Sequence, residues 1–318
     1  MSSAWPWHFI TVSEEEKSHR RDLLDLRGVI AQGSILVVII VLRVYQAWAT
    51  AQIPGGAPKP RRPISWWDRP LITGWLETRR QYLVCGVWLS WLVGLAVWNS
   101  GDGMSSLSPS IGIELQRSSR AIPYSPSTDY LHLTKALGHI ALSQVPLQVL
   151  ISPAAYISTT KPSAASIFSF ITSIPQATIT PYHRLFGRVV ISPLLMGHAS
   201  LYLLFFVQSS HPEFGSLLNK RVRDFDVQCG LLALSAAVSL LFFVRPRGVA
   251  RKRDTQPNPS IKERRQSFYI GHVLSVTILC AAAYWHVTHA RRYMLQALGA
   301  SVINGICSMV MVRRGGRG

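Results

Sequence analysis

The sequence has no clustered thiols. Its four cysteines, Cys85, Cys229, Cys280 and Cys307, fall singly inside apolar segments, and no two form a C-x-x-C pair. Iron–sulfur and thiolate zinc sites need grouped thiolates, so both are excluded. The four read instead as small apolar side chains inside the fold. Acidic side chains are scarce: 15 Asp and Glu stand against 33 Lys and Arg, a net charge of +18. Such a surplus is one mark of nucleic-acid binding. Here the cations sit in loops beside apolar blocks, with no zinc-finger spacing and no basic helix standing apart from such a block. Nucleic acid is therefore excluded, and topology and contact with anionic headgroups account for the charge. A cleaved secretory signal has its apolar core close to Met1; residues 1–28 are polar. No G-x-G-x-x-G turn occurs, so no dinucleotide-binding unit is expected. Neither an inverted repeat nor a pair of broken helices marks a transporter.

What the sequence does have is hydrophobic residue in blocks. They make up 48% of the chain and gather in runs of about 20, the length that crosses ~30 Å of hydrocarbon as a helix. The blocks predict seven spans, at 29–48, 82–98, 130–155, 183–207, 227–244, 268–289 and 293–312. The fold class is all-α: an integral membrane helical bundle of about seven transmembrane helices in contact with the lipid bilayer. Residues 1–28 form a polar segment, 29–48 an additional transmembrane helix, and 313–318 a short tail. The connection 51–80 is rich in Pro, Gly and Arg, with Trp66, Trp67 and Trp75 at headgroup level. Residues 99–129 read as an irregular external loop, and 167–171 as a piece too short to span, lying at the interface. The heaviest cationic run is Arg245, Arg247, Arg251, Lys252, Arg253, Lys262, Arg264 and Arg265. The positive-inside rule then puts 245–267, 51–80 and the C-terminus in the cytosol and the N-terminus outside.

Histidines stand inside these spans. His272 and His286 are fourteen residues apart, which advances a helix by about 21 Å and returns the side chain to within ~40° of its first direction. His183 and His198 are fifteen apart, an ideal-helix mismatch of one residue, or ~100°, against that partner. Pro193 lies between them, and a wide turn there would absorb the extra residue. So arranged, the two helices clamp two flat metal macrocycles at two depths, His183 with His272 and His198 with His286. Gly187, Gly197 and Gly271 flank these positions and leave room for a macrocycle or for helix packing. The other reading of the four is interhelical hydrogen bonding. His132 and His139 on span 130–155 face the same pair, relay protons or satisfy each other. His289 is an alternative to His286. Arg184, Arg188, Arg291 and Arg292 suit haem propionates, which guanidinium groups match bidentately, and equally suit headgroup contact.

The pattern His183-Arg184-x-x-Gly187-Arg188 with His198-Ala199 and Tyr202 resembles the third helix of the ferric reductase-like transmembrane domain of fungal ferric and cupric reductases and NADPH oxidases. Phe268-Tyr269-x-x-His272 with His286-Val287 resembles its fifth helix, and Gly138-His139-Ile140-Ala141 with Leu147-x-Val149-Leu150 the helix before the first histidine pair. The resemblance covers 80–312, with 29–48 as an addition. It implies a six-helix di-haem core holding two b-type haems on His183, His198, His272 and His286, with Arg184 and Arg188 beside the inner one. It implies transmembrane electron transfer to a metal ion such as ferric iron, in the plasma membrane or, alternatively, an organelle membrane. The family's flavin and nicotinamide domains follow its last span. Here 313–318 follow it, so the expectation is no FAD or NADPH site in this chain and a separate flavoprotein electron donor. The alternative function is a non-catalytic membrane subunit that partners a reductase.

Overall fold

Six helices of the computed structural model are long and apolar enough to cross a membrane: Lys17–Trp48, Arg79–Val97, Gln176–Gln208, Phe225–Phe242, Gln266–His286 and Ala290–Val310. The structure describes residues 14–51, 65–72, 77–98, 130–153, 166–242 and 261–315. The proline-rich run 55–63, the expected external loop 99–129, most of the basic stretch 245–267 and residues 316–318 lie outside them.

Helix α1 (Glu14–Ala51) is 38 residues long and starts well before the expected span. The polar residues 14–28 continue the helix because its buried stripe continues: Leu24, Arg27 and Ala31 are all buried at the spacing of one helix face. Its other face turns Leu36, Val37, Ile40, Val41 and Val44 outward, as lipid contact requires. Helix α2 (Arg79–Val97) opens on a reciprocal cap between Thr78 and Gln81, which satisfies two orphan backbone donors.

The expected span 130–155 is two helices, α3 (Tyr130–Ser143) and α4 (Val145–Leu150), so six helices rather than seven reach spanning length among the described residues. Pro146 has no N–H to give the carbonyl of Leu142, and the helix yields just before it. Gln144 at the break is wholly buried, and its side-chain oxygen accepts from the indole of Trp88 at 3.1 Å. Although short, α3 is central. It packs on α1 and α2 and reaches the later helices named below.

Helix α5 (Ile167–Thr172) is capped by Ser166 and buries Ser169 and Thr172 while exposing Phe170 and Ile171. Asn304 takes the Ile167 N–H at 2.8 Å, which ties this short piece to the last helix. Helix α6 (Gln176–Leu185), a π-helical turn (Phe186–Ile191) and α7 (Ser192–Gln208) form one continuous rod. A hairpin of β1 (Ser210–His211) and β2 (Gly215–Ser216) turns the chain, with Gly215 at φ 70°, a left-handed conformation open to glycine. Then follow α8 (Leu217–Arg221), α9 (Phe225–Phe242), α10 (Ile261–His286) and α11 (Ala290–Gly315).

The main core lies between α1, α2, α3 and the α6–α7 rod, where Leu92, Ala136, Ile140, Leu185 and Val190 have no exposed surface. A second cluster, Leu142, Val145, Ala283, Tyr293, Met294 and Ala297, joins α3 and α4 to α10 and α11. Helix α10 packs on α9 and α11. Towards the α6–α7 rod it presents histidines.

Candidate functional site

The rings of His183 and His272 have centroids 6.2 Å apart with their planes at 72°. Those of His198 and His286 are 6.4 Å apart at 76°. A direct N–H···N bond between two imidazoles would bring their centroids to about 5 Å. Two imidazoles on opposite sides of one iron, with nitrogen about 2.0 Å from the metal and the ring centre about 1.1 Å beyond, stand about 6.2 Å apart. Among the described residues no hydrogen bond joins the two rings of either pair, and no group of three His, Cys, Asp or Glu side chains surrounds a single ion. Each pair is thus a two-ligand site, suited to an ion that brings its remaining ligands with it.

Three of the four rings are held from behind. His183 donates Nδ1–H to the carbonyl of Gln148 at 3.0 Å, His198 to that of Thr134 at 2.7 Å and His286 to that of Asp226 at 2.6 Å. This fixes the tautomer with Nε2 as the lone-pair nitrogen, and a carbonyl partner of this kind orients a metal-binding imidazole. Gln148 also donates its side-chain amide to the His183 carbonyl at 2.9 Å. The ring of His272 instead stacks on Phe268, 5.5 Å away at 25°.

Two glycines admit the second pair. A Cβ on Gly138 would stand 2.6 Å from His198 Nδ1, and one on Gly230 would stand 2.8 Å from His286 Cε1. A Cβ on Gly197, by contrast, would make an ordinary 3.6 Å contact with Leu137, so this glycine lies along helix–helix packing with α3.

The π turn resolves the spacing of fifteen. The N–H of Ser192 bonds to the carbonyl of Gly187, five residues back, and the Ser192 hydroxyl reaches the same oxygen at 2.6 Å. One extra residue in that turn takes back ~100° of rotation, so His198 follows His183 as His286 follows His272. The widening falls one turn before Pro193, whose ring crowds the Val189 carbonyl and offers it no donor.

The arginines meet a partner the sequence reading did not name. Glu77, with only 8% of its side chain exposed, lies 3.1 Å from Arg184 and 3.8 Å from Arg188; Arg188 also reaches the Tyr82 hydroxyl at 3.3 Å. The guanidinium of Arg79 lies 4.0 Å over the ring of Trp66. Arg291 lies against Tyr284 and Trp285. Arg292 donates to the Tyr293 hydroxyl at 3.0 Å and stands 3.6 Å from Asp25.

The other intramembrane histidines stand outside the two pairs. His132 accepts from the buried Arg27 at 3.0 Å, while Arg27 also donates to the Trp98 carbonyl. His139 Nε2 lies 2.8 Å from the Tyr293 hydroxyl and 3.5 Å from Asp25. His289 faces His139 and Asp25 rather than His198. Asp25, Glu77, Gln148 and Tyr293 are the participants that sequence reasoning missed. For Asp25 a signal existed: the 3.6-residue spacing of Leu24, Arg27 and Ala31 extends the first helix back past it.

A family model described as ferric reductase like transmembrane component matches residues 137–283. That interval begins beside Gly138 and contains His183, His198 and His272, while His286 lies three residues past its end. No curated protein and no solved structure matches the chain.

Proposed function

We propose that this chain, whose residues 137–283 match the ferric reductase-like transmembrane component, is a multi-pass membrane electron-transfer component that carries electrons between two b-type haems stacked across the bilayer. The observation that supports this most is the spacing of the rings: 6.2 and 6.4 Å between centroids in two pairs at two depths. In this reading His183 and His272 are the axial ligands at one depth and His198 and His286 those at the other. The haems would supply one-electron iron chemistry. The protein residues hold and orient. Gln148, Thr134 and Asp226 fix three of the imidazoles through backbone carbonyls. Gly138 and Gly230 let α3 and α9 close behind the second pair.

Charge supports the direction. The His183–His272 end is the basic end, with Arg184 and Arg188 beside it, and we take it as cytosolic, with the C-terminus on the same side, by the positive-inside rule. Electrons then enter at the first pair and leave at the second, towards an oxidised metal ion such as ferric iron. The stretch 245–267, with eight Lys and Arg against Asp254 and Glu263, suits the acidic surface of a flavoprotein donor, because opposite charge steers encounter. The plasma membrane is the location this reading implies.

The test is a reduced-minus-oxidised absorption spectrum of purified protein, expressed with ample haem, together with a haem count. The reading expects b-type bands and two haems per chain. Protein that is folded yet free of haem would leave the non-catalytic subunit as the better reading. For the donor, NADPH alone should leave the haems oxidised, and a flavoprotein reductase with NADPH should reduce them.

A further inference from the structure

At the His198–His286 end, one arginine outside the pair touches the supports of both rings. Arg221, the last residue of α8, donates Nη1–H to the Asp224 carboxylate and Nη2–H to that of Asp226 at 3.0 Å. Its guanidinium lies 5.9 Å over the ring of Phe206 on α7. Each side of this arrangement leads to a ligand. Asp226 is gripped twice: its side chain by Arg221, and its backbone carbonyl by His286 Nδ1–H at 2.6 Å. Phe206 packs on Tyr202 with ring centroids 5.5 Å apart, and Tyr202 packs on His198 with centroids 5.0 Å apart. We propose that Arg221 is a positioning residue for the second pair. It sets the plane of the His286 ring through Asp226 and backs the His198 ring through Phe206 and Tyr202. The inference rests on the two-haem reading.

Short-range bonds deliver Arg221 to this point. The Leu217 N–H donates to the carbonyl of Ser209, at the end of α7, at 2.9 Å, and the Ser216 hydroxyl caps α8 by accepting from the Asn219 N–H at 3.2 Å. Helix α8 is thereby fixed to the rod that carries His198. The turn into α9 is bonded in the same way: the Asp224 N–H donates to the Arg221 carbonyl at 3.0 Å, and the Gln228 N–H to the Asp224 carbonyl at 3.0 Å. The first turn of a helix has N–H groups without intrahelical partners, so side-chain ties decide where it lies. Here two carboxylates suit the positive end of the α9 dipole, and one guanidinium links them. His286 has no slack to absorb a shift of that turn. A Cβ on Gly230, four residues after Asp226, would stand 2.8 Å from His286 Cε1, so the α9 backbone lies close against the ring. Moving the start of α9 moves the carbonyl on which the tautomer and plane of His286 depend.

Exposure separates this role from that of a general brace. The side chains of Arg221, Asp224 and Asp226 are 34%, 33% and 47% exposed, and solvent screens charge pairs so placed. The ion pairs therefore add little to the stability of the bundle as a whole. Their effect is local, because the residue they hold is the one whose carbonyl orients a ligand. Loss of Arg221 should be felt at one histidine pair and hardly at all in global unfolding.

The test uses the haem-loaded full chain, read by low-temperature electron paramagnetic resonance with thermal unfolding alongside. Arg221→Ala and Asp226→Asn should each shift the low-spin ferric signal of the haem that is lost in His198→Ala. The other signal and the unfolding temperature should stay nearly where they were. Arg221→Lys, which keeps the charge and one contact, should restore most of the native signal. Arg223→Ala removes an equal charge from the same surface, but Arg223 lies against Phe214 instead, so both signals should be unchanged. Asp226→Asn, which keeps the backbone and the volume, carries the test if Arg221→Ala does not fold. Native signals in both Arg221→Ala and Asp226→Asn would overturn the proposal, as would equal shifts in both haems or the same shift from Arg223→Ala. Folded protein free of haem would overturn the two-haem reading, and the positioning is then read by nitrogen NMR of isotope-labelled histidine. The His286 Nδ1–H should be protected from exchange in the native chain and unprotected in Arg221→Ala. Equal protection in the two would overturn the positioning as well.

Discussion

The two histidine pairs share a ring separation and differ in what lies behind the rings. At the second pair both rings are pinned by carbonyls, and each has a glycine pressed against it. At the first pair only His183 is pinned; His272 leans on Phe268, and the neighbourhood is closed by Glu77 between two arginines. A common spacing can thus be reached by backbone contact at one end and by aromatic and ionic contact at the other. The second end tolerates less added volume. The first end is tied to a charge pair that tunes stability.

The largest effect should come from the rings themselves. His183→Ala or His272→Ala should lose one haem and spare the other, and His198→Ala or His286→Ala should lose the complementary one, as read by haem count and difference spectrum. His289→Ala should keep both haems; if it removed one while His286→Ala did not, the pairing would be wrong. Next come the glycines. Gly138→Val and Gly230→Val should perturb or empty the second site alone, at a stability cost of about 1–3 kcal/mol for overpacking. Equal damage at both sites would erase the distinction between the ends.

Deleting Val189 sharpens the comparison differently. It shortens the His183–His198 spacing to the fourteen of the partner helix, which a plain α-helix places in register. Both haems should survive, with the π turn gone. Loss of the second haem in this variant would show that the wide turn does more than correct rotation. The smallest effects belong to the ion pair. Arg184 is about two-fifths exposed, so Arg184→Ala should cost about 1 kcal/mol or less. Glu77→Gln leaves two cations facing each other beside a buried group and should cost about 1–3 kcal/mol once screening at Arg184 is allowed for. Thermal unfolding of the purified protein measures both.

The histidine pairing was legible because helical rotation is simple: fourteen residues return a side chain almost to its own face, and fifteen leave a debt that some turn must discharge. The expected wide turn lies just before Pro193, at Phe186–Ile191, since proline acts on the carbonyl four residues before it and the chain relaxes there. The break at Gln144 was marked by Pro146, but a long apolar run hid it. Glu77 gave no signal, because it lies in a connection dominated by Pro and Arg where no periodicity relates sequence to space. Asp25 was screened by composition: 1–28 is polar overall, yet one face of it is a buried helix stripe. Segments without periodicity, and polar residues whose partners are distant in sequence, are where reading from sequence fails on physical grounds.

The central claim is that each pair of rings clamps one iron from opposite sides with nearly perpendicular planes, 72° and 76°. Low-temperature electron paramagnetic resonance of the fully oxidised protein tests it most directly. Two trans imidazoles give a low-spin ferric signal, and crossed planes leave two iron d-orbitals nearly degenerate, which makes that signal strongly anisotropic. The account predicts such low-spin signals from two haems per chain, one lost with each ligand substitution. A high-spin ferric signal, as from iron with a single histidine, or no haem signal at all, would contradict it.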